Sequence, residues 1–356
     1  MTATPETRQP TLASPSVSPS AQRPSAQRRG SDFSELLRQV RAAGLLDRRP
    51  GSYAVRICAN AILLAGGAVA FVMLGNSWWQ LLLAAYFGVV FTQLGFFGHD
   101  AGHRQIFRSG RANDVLGLVH ANLLVGLSYD WWIGKHNRHH SHPNEVDRDP
   151  DLGAGALVWT PDQALARRGL GRVLARCQAW LFFPMLMLEA LNLHYGSIRA
   201  LCARTGKPRK VEAILLTVHV VGYLGAVLLV MSPLHALAFI AVHQGVFGLY
   251  LGCSFAPNHK GMPIVGDDDE MDYLRRQVLT ARNVRGGWFM QTALGGLNYQ
   301  IEHHLFPSMP SPSLRRCQPL VRAFCAERGL PYSETTAWRS YSEVVRYLHR
   351  VAAPLR

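Results

Sequence analysis

Histidine is concentrated in three short segments, and its spacing there could bind metal. Residues 99–103 read HDAGH, residues 136–140 read HNRHH and residues 300–304 read QIEHH. On a helix, side chains three or four positions apart lie on one face. His99 and His103 could therefore reach one metal, as could His136 with His139 or His140. Adjacent histidines point in different directions and could serve two metals or two sides of one centre.

The number and type of these ligands narrow the choice of metal. Imidazole binds zinc, copper, iron and nickel, so ligand softness alone does not select one of them. Seven histidines are more than one tetrahedral zinc takes, because such a site has four ligands. Two metals are therefore expected, and an open redox-active pair favours iron over zinc.

The elements that carry these histidines are those of a membrane protein. Apolar residues make up 48% of the 356 residues and charged residues 17%, against roughly 25% charged in a soluble domain. The formal net charge of +14 could suit nucleic acid, anionic lipid or an anionic substrate. Long apolar runs favour the lipid bilayer, and we expect no nucleic-acid partner. The six cysteines lack close pairing, which indicates free thiols.

The fold class that follows is an all-α integral membrane protein. Residues 1–30 are rich in Ser, Thr, Pro and Arg and predict a disordered tail, followed by one domain over 31–356. Four stretches approach the ~20 residues that a span requires, and they lie at 57–74, 79–97, 213–231 and 234–253. The linkers inside each pair are uncharged, while Arg and Lys crowd the other polar segments. The positive-inside rule then predicts two hairpins, with both termini and a histidine-bearing helical cap in the cytoplasm.

Three further stretches are amphipathic or apolar but not spans. Ser31 is a plausible N-cap of a helix that Gly44 ends, and its apolar stripe suits either the membrane surface or packing within the protein. We interpret the apolar stretches 115–127 and 179–193 as interfacial or buried against protein.

Long motifs around the histidines are similar to those of the membrane fatty acyl desaturase family. They read HDAGHRQ, SYDWWIGKHNRHHSHPNEVDRDPD, APNHKGMP, LTARNV and GGLNYQIEHHLFPSMP, and they extend the similarity from about Ser31 to Tyr332. The third box begins with Gln, as in the branch of front-end and linoleoyl-CoA-like desaturases, here in a bacterial form without a fused haem domain. The resemblance implies four spanning helices and two non-haem irons. The implied reaction uses O₂ and two electrons to convert CH₂–CH₂ in an acyl chain to CH=CH.

The resemblance also implies roles for individual residues. The implied iron ligands are His99, His103, His136, His139, His140, His303 and His304, with His259 after the last span as a further ligand. Asn258 is a candidate to hold water or support a ligand. Asp100 and Glu302 could each accept an N–H from a ligand imidazole and set its tautomer.

Other residues carry weaker expectations. Gln300 is either a weak ligand or a hydrogen-bond partner of a ligand or water. Trp131 and Trp132 could line the acyl site or belong to an interfacial aromatic belt. The other histidines near the spans are expected to pack: His120, His194, His219, His235 and His243. His142 is expected to stabilise its loop with Asn144. Lys135, Arg138, Arg148 and the arginines near 275–285 could bind phosphates of acyl-CoA or a phospholipid, although topology accounts for most of the charge.

Two other functions remain open at this point. A lipid hydroxylase or ketolase could use the same scaffold. A metal transporter or sensor would place its ligands near the bilayer midplane, whereas these histidines lie at span ends. The chain shows no haem-binding HPGG segment and no flavin or nicotinamide fingerprint, and its first 30 residues are too few for such a domain. We therefore expect a separate ferredoxin or flavoprotein reductase as electron donor.

Overall fold

Helices account for nearly all regular structure in this computed structural model, which describes residues 31–153, 155–203, 210–266 and 269–356. The helices are α1 Asp32–Ala42, α2 Pro50–Leu74, α3 Gln80–Gly102, α4 Gly110–Gly117, α5 Tyr129–Ser141, α6 Pro161–Leu165, α7 Gly169–Leu186, α8 Glu189–Cys202, α9 Lys210–Val230, α10 Pro233–His259, α11 Tyr273–Leu279, α12 Gly287–Ala293, α13 Gln300–Leu305, α14 Ser311–Glu327 and α15 Ala337–Val351. A π-helical segment, Leu118–Val125, extends α4, and 3₁₀ turns cover Pro150–Leu152 and Ala353–Leu355.

The described residues include one pair of short β-strands and an isolated bridge between Glu145 and Val265. Strands β1, Asn283–Arg285, and β2, Glu334–Thr336, lie parallel, with Asn283 opposite Glu334. The expected all-α architecture therefore holds apart from this pair. The predicted disordered tail over 1–30 lies outside the described residues.

Among the described residues, four helices are long and apolar enough to cross a bilayer, and they include the four predicted spans almost entirely. They are α2, α3, α9 and α10. In the most apolar 18-residue segment of each helix, 17% of α2 and 11% of α9 is buried inside the protein. The corresponding fractions are 56% for α3 and 50% for α10. Helices α3 and α10 thus form the inner pair, and the exposed apolar faces of α2 and α9 suit contact with lipid.

The inner pair packs closely where a glycine of α3 lies against α10. A Cβ atom on Gly88 of α3 would stand 2.8 Å from the side chain of Val246 on α10, so a larger residue there would push the helices apart. Gln93 Nε2 also donates to the Tyr250 hydroxyl at 2.8 Å. Both helices continue past the predicted spans, to Gly102 and His259, and this extension carries histidines beyond the apolar layer.

The uncertain stretch at 179–193 forms a bent helix pair. Helices α7 and α8 meet at an angle of 81°, and the bend packs against α10 at Gly248. A Cβ there would lie 2.8 Å from the Leu186 carbonyl oxygen and the Ala190 nitrogen. This packing agrees with burial against protein, although the length and composition of the pair would also allow a broken span.

The first helix packs within the cap rather than lying on a membrane surface. Ser31 is its N-cap, accepting from Ser34 N at 3.3 Å, as the sequence predicts. Leu36 and Val40 are fully buried with residues of α11, α13 and α14, and Phe33 stacks on Phe306 with ring centroids 5.7 Å apart. Of the two alternatives, packing within the protein is therefore correct, because the cap itself covers the apolar stripe.

The short linkers lie together, at the opposite end of the inner helices from the histidines. Ser232, between α9 and α10, donates its N–H to Asn76 Oδ1 of the α2–α3 linker at 2.8 Å. Helices α3 and α10 run from these linkers toward His99 and His259. The two membrane hairpins, and the side of the membrane on which each end lies, stay predictions.

We predict that a membrane-impermeant maleimide labels Ser77→Cys or Ser232→Cys in intact cells, because both linkers are expected outside. Ser141→Cys, which is exposed on the histidine side, should react only after permeabilisation. Labelling is measured against the unsubstituted chain, in which Cys58, Cys177 and Cys202 are already exposed. Reaction at Ser141→Cys in intact cells would reverse the orientation.

Candidate metal centre

Four separate helices bring their histidines to one place. His99 and His103 lie at the end of α3, and His259 is the last residue of α10. The middle box lies on α5, and the third box forms the short helix α13. All eight predicted ligands take part: His99, His103, His136, His139, His140, His259, His303 and His304. The boxes are therefore neighbours in space, although the first histidine and the last are 205 positions apart in the sequence.

The histidines form two groups with ligand atoms close enough for a shared metal. The first group is His99, His103, His136 and His303, and the second is His139, His259 and His304. Within each group the candidate ligand atoms all lie within 4.8 Å of one another. Two adjacent metals fit this division better than one.

His140 lies between the two groups. Its ring stacks on that of His304, with centroids 4.2 Å apart, and its Nε2 is 3.1 Å from Nε2 of His136. Adjacent histidines in HNRHH and QIEHH thus point to different sides of one centre. His303 joins the first group and His304 the second.

Hydrogen bonds at Nδ1 orient four of the candidate ligand rings. The Nδ1 atom of His99 pairs with Asp100 Oδ1 at 3.0 Å, that of His139 with Asp149 at 3.0 Å, that of His259 with the Thr280 carbonyl at 3.0 Å and that of His304 with Gln277 Oε1 at 2.8 Å. Since each acceptor needs a proton on Nδ1, the lone pair of each ring is on Nε2.

The nitrogens that face the centre are buried without a hydrogen bond. Among the described residues, no partner lies within reach of Nε2 of His99, His103 or His304, of Nδ1 of His140, or of either ring nitrogen of His303. Leaving so many polar atoms unpaired is costly, and metal ions would satisfy them. The residues present therefore fit a pair of metal ions held by imidazole.

Electrostatics keep these rings in the ligand form. Burial lowers the pKa of His103, His136, His140, His303 and His304 well below the usual range, and neighbouring imidazoles lower it further. The rings are therefore neutral at physiological pH, and a neutral imidazole offers the lone pair that a metal needs.

Gln300 lies directly at the second group. Its Nε2 donates to His259 Nε2 at 2.9 Å, and its Oε1 accepts from Asn258 Nδ2 at 3.2 Å. Asn258 is fully buried and also donates to the Leu297 carbonyl at 3.1 Å. The Gln300 amide is therefore close enough either to bind a metal at the second group or to support His259 through a hydrogen bond. Which of the two applies stays a prediction.

The two acidic residues inside the boxes have different surroundings. Asp100 contacts a ligand ring as expected, and it also accepts from Tyr53 at 2.9 Å and Ser311 at 2.8 Å. Glu302 instead accepts from Asn283 at 2.7 Å and Tyr332 at 2.6 Å, and burial raises its pKa to about 7. The expected contact from Glu302 to an imidazole is therefore wrong, because on α13 its side chain faces β1 rather than the centre.

The sequence reasoning missed Asp149. This carboxylate holds His139 and also accepts from Asn144 N at 2.8 Å. The hydrogen bond from His139 lowers the pKa of Asp149 despite the opposing effect of burial. Asp149, Asp151 and His139 also form a third group of candidate ligands. The acidic run DRDPD soon after the second box was the available signal.

A second missed residue, Glu212, positions the helix of the middle box. Its buried Oε1 accepts from Asn122 Nδ2 at 3.0 Å, from Ser128 Oγ at 2.9 Å and from Asp130 N at 3.0 Å. A carboxylate at the N-terminus of α5 satisfies free N–H groups and complements the helix dipole. A lone acid opening the third apolar span was the signal for this contact.

An apolar cavity of about 390 Å³ opens onto the second group. Its wall includes the site residues His136, His139, His259 and Gln300. Trp132 also lines it and stacks on His136, with ring centroids 4.4 Å apart. Trp131 does not line this cavity. It packs on Gly196, where a Cβ would meet its ring at 2.6 Å. Trp131 and Trp132 point in different directions along α5, so only Trp132 has the expected lining position.

The histidines away from the centre have local partners, in agreement with packing roles. His120, His194 and His219 each contact a backbone carbonyl, of Leu116, Gly126 and Leu123 respectively. His235 pairs with Ser232, and His243 with Tyr223. His142 contacts Glu145 at 2.8 Å rather than Asn144.

Acids partner most of the cations that were candidates for phosphate binding. Lys135 pairs with Asp151, Arg148 and Arg276 with Glu145, Arg275 with Asp272, and buried Arg282 with Glu343. These pairs give the cations a structural role and weaken the case for phosphate at any of them.

Comparison with known proteins places these features in a family. The fatty acid desaturase family model matches residues 76–336. An acyl-lipid (9-3)-desaturase of Physcomitrium patens is 30% identical over 76% of this chain, which spans 53% of that protein. A Delta(5) fatty acid desaturase of Caenorhabditis elegans is 30% identical over 84% of this chain and 69% of that protein. A Delta(8)-fatty-acid desaturase of Euglena gracilis is 28% identical over 89% and 78%.

We predict two irons per purified chain, measured by mass spectrometry of the metal. His303→Ala and His304→Ala each remove a ligand from one group and should lower the content by about one iron per chain. His349→Ala, at an exposed position in α15, is the matched control and should retain both. Two irons in His303→Ala would exclude that residue as a ligand.

Proposed function

The chain belongs to the fatty acid desaturase family, and we propose that it desaturates a long-chain fatty acyl group at a histidine-held pair of non-haem irons. The observation that carries this proposal is the position of the two histidine groups beside an apolar cavity. Hydrolysis needs no such site, whereas oxidation of a CH₂–CH₂ unit needs both a metal centre and a dry apolar channel.

The residues that would hold one iron are those of the first group, and those of the second group would hold the other, with His140 between them. Bound irons supply, with O₂ and two electrons, an oxidant able to remove hydrogen from unactivated carbon. The chain orients its own ligands: Asp100 and Asp149 accept the Nδ1 protons of His99 and His139, so that each Nε2 faces inward.

The cavity wall would hold the acyl chain and exclude water. Trp132, Leu251 and Phe255 line it near the ligand rings, and burying methylenes there contributes about 0.8 kcal/mol for each CH₂. The apolar part of the wall offers no polar group that would react with the oxidant. The carbons of the bound acyl chain are therefore the groups presented to the centre.

The setting of this reaction is part of the proposal. The four apolar helices would span a lipid bilayer, with the histidine centre and both termini in the cytoplasm. The acyl group would arrive as an acyl-CoA or as part of a phospholipid. A separate ferredoxin or flavoprotein reductase would deliver electrons from the cytoplasm. The relatives' names describe desaturases, which favours desaturation over a hydroxylase or ketolase reaction.

We predict new double bonds in the fatty acids of a host that expresses the chain, detected by gas chromatography–mass spectrometry of derivatised lipids. His303→Ala should lower their yield by at least about 100-fold, more than loss of a residue supporting a ligand. His349→Ala should match the unsubstituted chain. New hydroxyl or keto groups instead of double bonds would support the alternative reaction and contradict ours.

We further predict that Gln300→Ala lowers turnover by about tenfold or more, because the amide lies 2.9 Å from His259 Nε2 and supports the centre. Gln300→His should not restore full turnover, since imidazole is a stronger ligand. Gln39→Ala, exposed on α1, is the control. Turnover of Gln300→Ala equal to this control would limit Gln300 to packing.

A further inference from the structure

The cavity beside the second histidine group has one polar sector. Most of its wall is apolar and includes Leu157, Phe182, Leu186, Leu251 and Phe255. The polar sector, here termed the polar mouth, consists of Lys135, Asp151, Glu189, Asn192 and Lys260. Charged side chains are costly beside an apolar cavity unless they bind each other or a ligand.

The two lysines of the polar mouth converge on one acidic residue. Lys135 Nζ lies 2.7 Å from Asp151 Oδ1, and Lys260 Nζ donates to the Asp151 backbone carbonyl at 2.8 Å. The Lys260 ammonium also lies 4.2 Å from the ring centre of Trp159. An ammonium has three donors, and these contacts leave N–H groups of both lysines for a ligand.

The polar mouth is close to the metal centre. Asp151 Oδ2 is 3.6 Å from His139 Nδ1, while the other oxygen of the same carboxylate binds Lys135. One carboxylate group thus separates the Lys135 ammonium from a ligand ring. The Lys135 ammonium therefore lies within roughly 9 Å of His139 Nδ1, given ordinary covalent dimensions.

Charge in the polar mouth selects the kind of ligand. The two lysines face two carboxylic acids, Asp151 and Glu189, so the sector has no excess of positive charge. A phosphate would meet these acids, and like charges at close range repel. A neutral carbonyl oxygen needs only an N–H donor and carries no such cost.

We propose that Lys135 and Lys260 bind the carbonyl oxygen at the head of the fatty acyl chain, a thioester or ester carbonyl, and thereby set which carbons reach the metal centre. This inference rests on the proposed desaturase function.

The binding role differs from a structural one in the position of the product double bond. A lysine that only holds Asp151 affects folding or metal content, whereas a lysine that anchors the carbonyl sets the register of the chain. Lys135→Met and Lys260→Met keep an apolar stem and remove the ammonium. Lys210→Met, at an exposed position at the start of α9, is the matched control.

The test uses purified full-length chains with an electron donor, and it supplies an unsaturated C18 acyl-CoA in one arm and the matching phosphatidylcholine in the other. We expect Lys135→Met and Lys260→Met each to raise KM about five- to tenfold. Each should also yield additional positional isomers of the product double bond, with unchanged iron content. Lys135→Arg, which keeps a donor, should retain the original position. The arm in which the variants change the product identifies the acyl carrier.

The two proposals fail in different ways. If the unsubstituted chain forms no new double bond in either arm, the proposed function is wrong. If that chain is active but Lys135→Met and Lys260→Met keep the same KM and the same single product position as Lys210→Met, the carbonyl site is overturned.

Discussion

Burial of many imidazoles in one volume is the constraint on which this structure depends. Each buried ring has two nitrogens that need partners, and eight rings cannot satisfy one another. Carboxylates, amides and backbone carbonyls hold the outer nitrogens of His99, His139, His259 and His304. Several inward nitrogens have no partner among the described residues. The proposed pair of metal ions would complete this balance, so that binding of metal and order in the cap are expected to be coupled.

The long apolar helices hold these histidines in place. Close approach of α3 and α10 at Gly88 places His99 and His259 at one end of the same pair. Helix α5 packs on α8 where Trp131 meets Gly196, and Glu212 binds its N-terminus through Ser128 and Asp130. Glu212, in the first turn of the exposed apolar helix α9, therefore holds the N-terminus of the helix that carries the middle box. Such hydrogen bonds position the candidate ligands, although Glu212 itself is not a ligand.

The cavity joins this centre to a sector with balanced charge. Apolar residues from α7 and α10 contribute to its wall, and α7 meets α8 there at an angle of 81°. Asp151 belongs both to the polar mouth and to the surroundings of His139. Substrate recognition and ligand support thus meet at one short loop, which begins with the 3₁₀ turn Pro150–Leu152.

The sequence by itself determined the apolar spans, the cap of α1 at Ser31 and the seven histidines of the three boxes, because these depend on local composition and on helical spacing. His259 was indicated by resemblance to the family. It could not assign His303 and His304 to separate groups, exclude contact of Glu302 with a ligand ring, or separate the roles of Trp131 and Trp132. Asp149 and Glu212 were missed for the same reason. Each of these outcomes depends on which distant segment packs against a helix face, and only the tertiary structure decides that.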